Sequence, residues 1–523
     1  MQKLLWRNQL KIINFQRFFR KLKDKGFFQD KNEYFSLYPK GSHPGRIYGL
    51  PKLHKINTPG SPPPFRPIVS SIGTYNYNLA KFLCGLLNNI IPNQHTTTDT
   101  FSFVNDFQSL ACHNKFLVSF DVVSLFTNIP LTETINIAVD LIKANRPNLK
   151  ISKADLKKLF SFATCQTHFL FNGLVYDQVD GVAMGSPLAP VLANLFMGFH
   201  EDQWLKNYHD PDSVLFYRRY VDDIFCVFNS ETEATNFFTY LNTQHPNIKF
   251  TLEKEINNCL SFLDVKINKL TNNCVTSTHR KKTYTGLLTN FNSFTSFSYK
   301  IGLIRTLINR AFKINNTNVG FNKDVNDIKI TLQRNLFPAY LLDKVSTDCI
   351  DRLSRPDNHR DASTLSDIKY FKLPFVGRFS SFAQRKIRIL SKRFCKSISI
   401  KLVFNSFKLS CLFSTKDKIP LALRSRVVYK FTCASCNTRY IGETIRHFSQ
   451  RINEHLFKDK SSHVFKHLAS SVSCKNVASA ECFEILDTAT NNYELKIKEA
   501  LFINSYKPEL NTQVKHYNTT IHM

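Results

Sequence analysis

The chain has 523 residues, 43% of them hydrophobic and 13% aromatic, which is too long for one core and predicts two or three folded domains. Its 70 Lys+Arg against 40 Asp+Glu leave +30, which points to a polyanionic partner, most simply nucleic acid. No run of about 18 apolar residues could span a bilayer, and Met1–Trp6 lacks the apolar core of a signal peptide. Thirteen cysteines, an odd number without a secretory signal, fit a reducing compartment, as buried thiols or metal ligands rather than staples.

In chain order, residues 1–40 are basic, aromatic and helical in part. Gly41 to Pro67 is loop-like and contains Tyr48-Gly49-Leu50-Pro51-Lys52-Leu53-His54-Lys55 and Phe65-Arg66-Pro67-Ile68-Val69. Arg66, just before a strand-like stretch, is the best placed of these basic residues to contact a phosphate. A solvated basic loop explains the same spacing. Phe116-Leu117-Val118-Ser119-Phe120 reads as a short apolar strand ending in Asp121. Alone, Asp121 reads as a helix cap or turn former.

Gly185-Ser186-Pro187 precedes an apolar stretch. Gly185 permits close backbone approach; Ser186 can cap, and Pro187 can open, a helix from Leu188 to about Phe199. The loop is an ordinary loop–helix junction or a support for a base pair. Tyr220-Val221-Asp222-Asp223 follows, between the strand-like runs Val214–Tyr217 and Ile224–Phe228. Two neighbouring carboxylates between buried flanks repel one another and are costly to desolvate. A divalent cation removes that objection, and hard oxygen ligands suit Mg²⁺. With Asp121, Asp222 becomes half of a two-metal site acting on phosphates.

Phe250–Glu253 and Leu260–Ile267 predict two more strands around an Asn257-Asn258 turn. Arg280-Lys281-Lys282, followed by Tyr284, Phe291, Phe294, Phe297 and Tyr299, suits a nucleic-acid channel, or equally a helical core with a solvated basic face. Residues 300–345 are helical in pattern and 346–375 polar and linker-like. A basic stretch with Arg385-Lys386, Arg388 and Lys392-Arg393 comes next. Near the end, Cys433-Ala434-Ser435-Cys436 has a spacing that suits Zn²⁺, with His467 and either His463 or Cys474 to complete a tetrahedron.

Asp121 with Phe126, then Gly185-Ser186-Pro187, then Tyr220-Val221-Asp222-Asp223 resemble reverse transcriptase motifs A, B and C in order. The wording around them is similar to Penelope-like retroelements: Tyr48–Lys52, Phe65–Ser70, Ser119-Phe120-Asp121-Val122, Phe262-Leu263-Asp264-Val265 and Tyr284-Thr285-Gly286. That resemblance implies an α+β right-hand fold of fingers, palm and thumb, followed by a small α/β GIY-YIG endonuclease. Val427-Val428-Tyr429 stands where that family has Gly-Ile-Tyr, and Tyr440-Ile441-Gly442 where it has Tyr-Ile-Gly. Arg451, His455, Glu499 and Asn511 follow in the family's order.

The resemblance implies these roles. Mg²⁺ binds Asp121 and Asp222, two ions in all, with the Val122 carbonyl as an extra ligand and Asp223 assisting. Phe126 excludes a ribose 2′-hydroxyl. Arg66, Gly185, Ser186 and Pro187 serve nucleotide and template. In the tail, Tyr429 and Tyr440 position or activate water, Arg451 takes phosphate charge, His455 is an acid/base, and Glu499 binds one further Mg²⁺. Expected partners are an RNA template, a DNA target and primer, and dNTPs, with no membrane; the expected location is the nucleus.

The implied layout is 1–60 basic segment and partial fingers, 61–285 fingers and palm, 286–345 thumb-like helices, 346–423 basic connector and 424–523 nuclease. Only 47 residues precede Tyr48, fewer than in related elements, which implies an N-terminally truncated copy. The rival expectations are a catalytically decayed nucleic-acid-binding remnant, and a telomerase-like or intron-type reverse transcriptase.

Overall fold

The computed structural model describes residues 2–39, 42–53, 60–110, 112, 114–165, 167–270, 273–354, 367–394, 398–406, 408, 412–413 and 416–511. His54 and Lys55, most of the expected linker (355–366) and residues 512–523 lie outside these.

The centre is a four-stranded antiparallel sheet, in the order Phe216–Tyr220, Asp223–Phe228, Phe116–Val122, Phe250–Lys254. Its inner strands are apolar except at Ser119 and at the end that carries Asp121 and Asp223, because both faces are covered. Side chains alternate sides along a strand. Ile224, Cys226 and Phe228 enter the larger core with Val118 and Phe120. Phe225 and Val227 enter a second core with Leu117, Phe103, Phe107 and Phe262. Helix Leu188–Lys206 lies in the larger core and buries residues on most of its circumference, Leu188, Leu192, Leu195, Phe196 and Trp204 among them. It is apolar nearly all round, as a helix buried on several sides must be.

The N-terminal helix Gln2–Asp24 belongs to the same core through Phe15, Phe18, Phe19 and Leu22. A second sheet, ordered Phe65–Ser70, Gly45–Pro51, His168–Phe171, Leu174–Asp177, stands beside it. The expected strand over 260–267 is broken in two. Leu263 has φ +55° and turns the chain at Leu263-Asp264, so Val265–Lys269 pairs with Cys259–Phe262 on one side and with Cys274–Thr278 on the other, while Phe250–Lys254 joins the central sheet.

Three helices, Phe297–Ile314, Asn318–Arg334 and Ala339–Leu353, enclose a separate core around Ile304, Ile308, Leu332 and Leu342. The linker expected over 346–375 is therefore helix up to Leu353 and strand from Asp367. Thr347, Asp348, Asp351 and Arg352 are the solvated side of that amphipathic helix. Strands Asp367–Pro374 and Ile398–Asn405 pair in parallel around helix Arg378–Phe394. The tail is a three-stranded antiparallel sheet, Arg439–Thr444, Val427–Thr432, Phe483–Thr488, with short helices and the long helix Asn492–Tyr506.

Cys112 and Cys274 are disulfide-bonded where reduced thiols were expected, because the segment before Phe116–Val122 and the start of Cys274–Thr278 meet in the second core. The other nine described cysteines are free. Among the described residues, no helix is long and apolar enough to cross a membrane.

Candidate active sites

Asp121 ends the Phe116–Val122 strand directly opposite Asp223. The Asp222 carbonyl accepts the Val122 N–H at 2.9 Å, so Asp121, Val122, Asp222 and Asp223 form one cluster. Asp222 sits in a two-residue turn whose first central residue, Val221, has φ +59°. Such turns favour glycine there, and a β-branched residue in this region stores about 1–3 kcal/mol of strain. The strain is held from below. Arg219, fully buried, donates to the Val221 carbonyl at 3.0 Å, to Glu201 Oε1 at 2.6 Å and to Asn194 Oδ1 at 3.0 Å. Glu201 also accepts the Tyr217 hydroxyl at 2.6 Å.

Asp121 and Asp223 line a cleft with Thr251, Glu253, His279 and Lys281; Asp222, on the turn, is not part of its lining. Burial, then the charges of Asp222 and Asp121, push the Asp223 carboxyl up to about 6. Three acids crowded enough to raise one above the ordinary carboxylate range are a donor set that a hard divalent cation fits.

The loop expected to support a base pair is fastened to the neighbouring sheet. Gly185 has φ +120°, and a Cβ there would lie 2.4 Å from the Val69 carbonyl oxygen. Val69 N–H donates to Met184 O, and Ser71 Oγ to Gly185 O, both at 2.8 Å. This joins the loop to the Phe65–Ser70 strand that carries exposed Arg66.

The expected cap shifts by one residue. Pro187 is the N-cap, the Ser186 hydroxyl accepts from Leu188 N–H at 3.4 Å, and the helix runs to Lys206 rather than Phe199 because its apolar stripe continues to Trp204. Phe126 lies in the short helix Leu125–Asn128, and its carbonyl accepts Val182 N–H at 2.7 Å, which ties the Asp121 strand to the loop before Gly185.

A second cluster lies in the tail. Tyr429 faces Gly442 across the Val427–Thr432 and Arg439–Thr444 strands. A Cβ on Gly442 would come within 2.7 Å of both the Tyr429 hydroxyl and the Tyr440 ring, so glycine is what lets the two tyrosines meet. The Tyr429 hydroxyl is 2.6 Å from His455 Nε2 and accepts from Arg451 Nε at 3.1 Å. With Arg451 on the oxygen, the phenol proton is directed to His455 Nε2. His455 Nδ1 then donates to the Ser462 hydroxyl.

Burial, then the Arg451 charge, hold the His455 imidazole down to about 3, so it is neutral at pH 7, accepts the Tyr429 hydrogen bond at Nε2 and is a weak base for the acid/base role expected of it. Tyr429 and Tyr440 are both raised, mainly by burial, with the Glu499 charge contributing to each. Arg451 also pairs with Glu454 and Asp459. The helix expected to align Arg451 with His455 ends at Asn453 and continues as a π-helical turn, Glu454–Lys458, a feature frequent at functional sites. Asn511 clasps Ile441, accepting from its N–H at 2.9 Å and donating to its carbonyl at 2.7 Å.

Cys433, Cys436, His467 and Cys474 bring their ligand atoms within 4.8 Å of one another. The Cys436–Cys474 sulfur distance is 3.8 Å, and Cys436 Sγ lies 3.5 Å from His467 Nε2. Zn–S bonds of about 2.3 Å in a tetrahedron place sulfurs about 3.8 Å apart, so the set fits Zn²⁺. Cys474, not His463, is the fourth member; His463 stacks on the Tyr440 ring at 6.4 Å.

Sequence reasoning missed Arg219, Glu201 and Ser462. The signal for Arg219 was present, since an arginine pair inside Val214–Phe228 is out of place in a strand covered on both faces.

No curated protein matches the chain. Among solved structures, it is similar to the telomerase of Candida albicans in complex with a TWJ fragment of telomeric RNA, at 10% identity and TM-score 0.41, over 60% of this chain and 61% of that one. It is similar to the Candida tropicalis telomerase with such a fragment at 12% and 0.37, over 61% and 56%. The RNA-dependent RNA polymerase of bacteriophage phi12 follows at 12% and 0.36, over 64% and 60%. The chain thus spans less than two thirds of the length of each. Residues 287–346 match the animal helix-turn-helix domain family. Residues 60–286, which contain Asp121, Gly185, Asp222 and Asp223, match the reverse transcriptase (RNA-dependent DNA polymerase) family.

Proposed function

We propose that the chain is an RNA-directed DNA polymerase of a Penelope-like retroelement, coupled to a GIY-YIG-type nuclease that nicks DNA. The nicked DNA would prime synthesis on an RNA template. The observation that carries the polymerase reading is the convergence of Asp121 with Asp222-Asp223 inside the stretch that matches reverse transcriptases.

Two Mg²⁺ ions held by Asp121 and Asp222 would supply activation of a primer 3′-hydroxyl and neutralise the leaving pyrophosphate. Asp223 shares the negative field that holds them. The Gly185-Ser186-Pro187 loop presents backbone rather than side chains to a base pair, and Phe126 stands five residues after Asp121 to crowd a 2′-hydroxyl. Arg66 offers a cation to phosphate on the strand to which that loop is bonded.

The nuclease reading rests on Tyr440, Arg451, His455 and Glu499 gathering around the buried Tyr429 hydroxyl. His455, held neutral with its pKa far down, orients the Tyr429 hydroxyl rather than serving as the acid/base; Arg451 would offset phosphate charge, and Glu499 would be the acid for one Mg²⁺. Cys433, Cys436, His467 and Cys474 would hold a structural Zn²⁺. Partners would be RNA template, DNA target and primer, and dNTPs, within the nucleus.

The test is primer extension on homopolymer RNA with Mg²⁺. The full chain is expected to extend the primer, and Asp222→Ala to lose about a thousandfold, or roughly 4 kcal/mol of transition-state stabilisation. Extension that survives the substitution, or none by the unaltered chain, sinks the reading; the latter outcome favours a binding remnant.

A further inference from the structure

The unit formed by strand Asp367–Pro374, helix Arg378–Phe394 and strand Ile398–Asn405 belongs to neither site. Residues 367–405 carry ten Lys/Arg and one acid, Asp367. The helix is packed the wrong way round for an ordinary amphipathic one. It buries Ser380 and Ser391 and leaves Phe379 76%, Phe382 52% and Ile389 55% exposed. Helices of soluble domains normally turn such side chains inward, so among the described residues this face is unpartnered.

The composition of the face says what covers it. Arg378, Phe382, Arg385, Ile389 and Arg393 follow at intervals of three to four residues, so cations and apolar groups share one face. Lys386 Nζ lies 5.6 Å from the Phe382 ring centroid, and the Arg393 guanidinium 5.3 Å from that of Phe394. A helix lying on a membrane keeps cations off its apolar side; here Arg385 and Arg388 lie to one side and Leu390 and Phe394 to the other, but Lys386 and Arg393 fall between Phe379, Phe382 and Ile389 on the exposed face. A single strand presents a matching mixture, with phosphates for cations and unpaired bases for rings. The unit is anchored, not loose: the Tyr299 hydroxyl donates to Phe404 O at 3.2 Å and accepts Phe404 N–H at 2.7 Å, and the Phe294 and Phe375 rings lie 5.0 Å apart.

We propose that the outward face of helix Arg378–Phe394 binds single-stranded nucleic acid, with bases stacking on Phe379 and Phe382 and phosphates paired with Arg378, Arg385, Lys386 and Arg393. This surface does not depend on turnover at either candidate site.

The test uses the full chain with oligo(rU), oligo(dT) and a blunt DNA duplex, each about 20 nucleotides long, and with phosphatidylserine vesicles. Phe382→Ala with Arg385→Ala is expected to weaken binding of the single strands about tenfold and to lower the salt slope by about 1. Phe382→Tyr with Arg385→Lys, which keeps ring and charge, is expected to retain it. A 5-iodouridine oligomer is expected to crosslink within 379–386. The tighter of oligo(rU) and oligo(dT) identifies the strand. Unchanged affinity with no crosslink in that peptide, equal loss of duplex binding, or a loss confined to the vesicles would overturn the proposal.

Discussion

Arg219→Ala is expected to destabilise the fold by roughly 3–5 kcal/mol, because it leaves Glu201 as an uncompensated charge in the core. It is also expected to abolish incorporation. Arg219 and Glu201 are 0% and 1% exposed, and the pair is closed at 2.6 Å. A urea unfolding curve reads the first effect and primer extension the second. The two separate in the double variant Arg219→Leu with Glu201→Leu. Replacing a buried ion pair by apolar residues is often neutral, so stability should largely return. Activity should not, since the Val221 carbonyl has lost the donor that holds its strained turn and hence Asp222. A double variant with unaltered activity would show that Arg219 braces the core without positioning the acids.

Arg451→Ala is expected to lower DNA nicking by about 10²–10³-fold, the usual effect of removing a donor aimed at developing charge, while primer extension persists. The two clusters share no residue, and the Tyr429 hydroxyl receives Arg451 within the tail's own core. Supercoiled plasmid relaxation and extension of a supplied primer, assayed on one preparation, decide the matter. Loss of both activities would mean that the sites are not separable.

The positions of Asp121, Gly185 and Asp222 could be read from sequence because each sits at a strand end or turn with a local signature: an acid closing an apolar run, a glycine before a helix, two acids between strands. Tyr429, Tyr440, Arg451 and His455 were legible as a spaced set. Their hydrogen bonds were not, because a π-helical turn rather than a regular helix delivers His455. Arg219 escaped because its meaning depends on Glu201 and Asn194, residues of another helix that local pattern cannot bring close. The connector escaped for a related reason. Polar and basic text reads as linker, whereas the parallel pairing of Asp367–Pro374 with Ile398–Asn405 is a non-local contact across a crossover helix. The cysteine arithmetic decided neither that Cys112 meets Cys274 nor that Cys474 rather than His463 joins Cys433 and Cys436.

Asp121 on its own strand, facing Asp222-Asp223 at the strained turn, is expected to form with them a metal-dependent centre for synthesis on RNA. Mg²⁺ dependence of dNTP incorporation on an RNA template, measured at pH 8 and pH 5.5, tests it most directly. Asp223, raised to about 6, is charged at pH 8 and mostly protonated at pH 5.5, which weakens the negative field around the ions. Incorporation is predicted to require a divalent ion at both values, with half-saturating Mg²⁺ higher at pH 5.5. Incorporation without a divalent ion, or one Mg²⁺ requirement at both pH values, would contradict the claim.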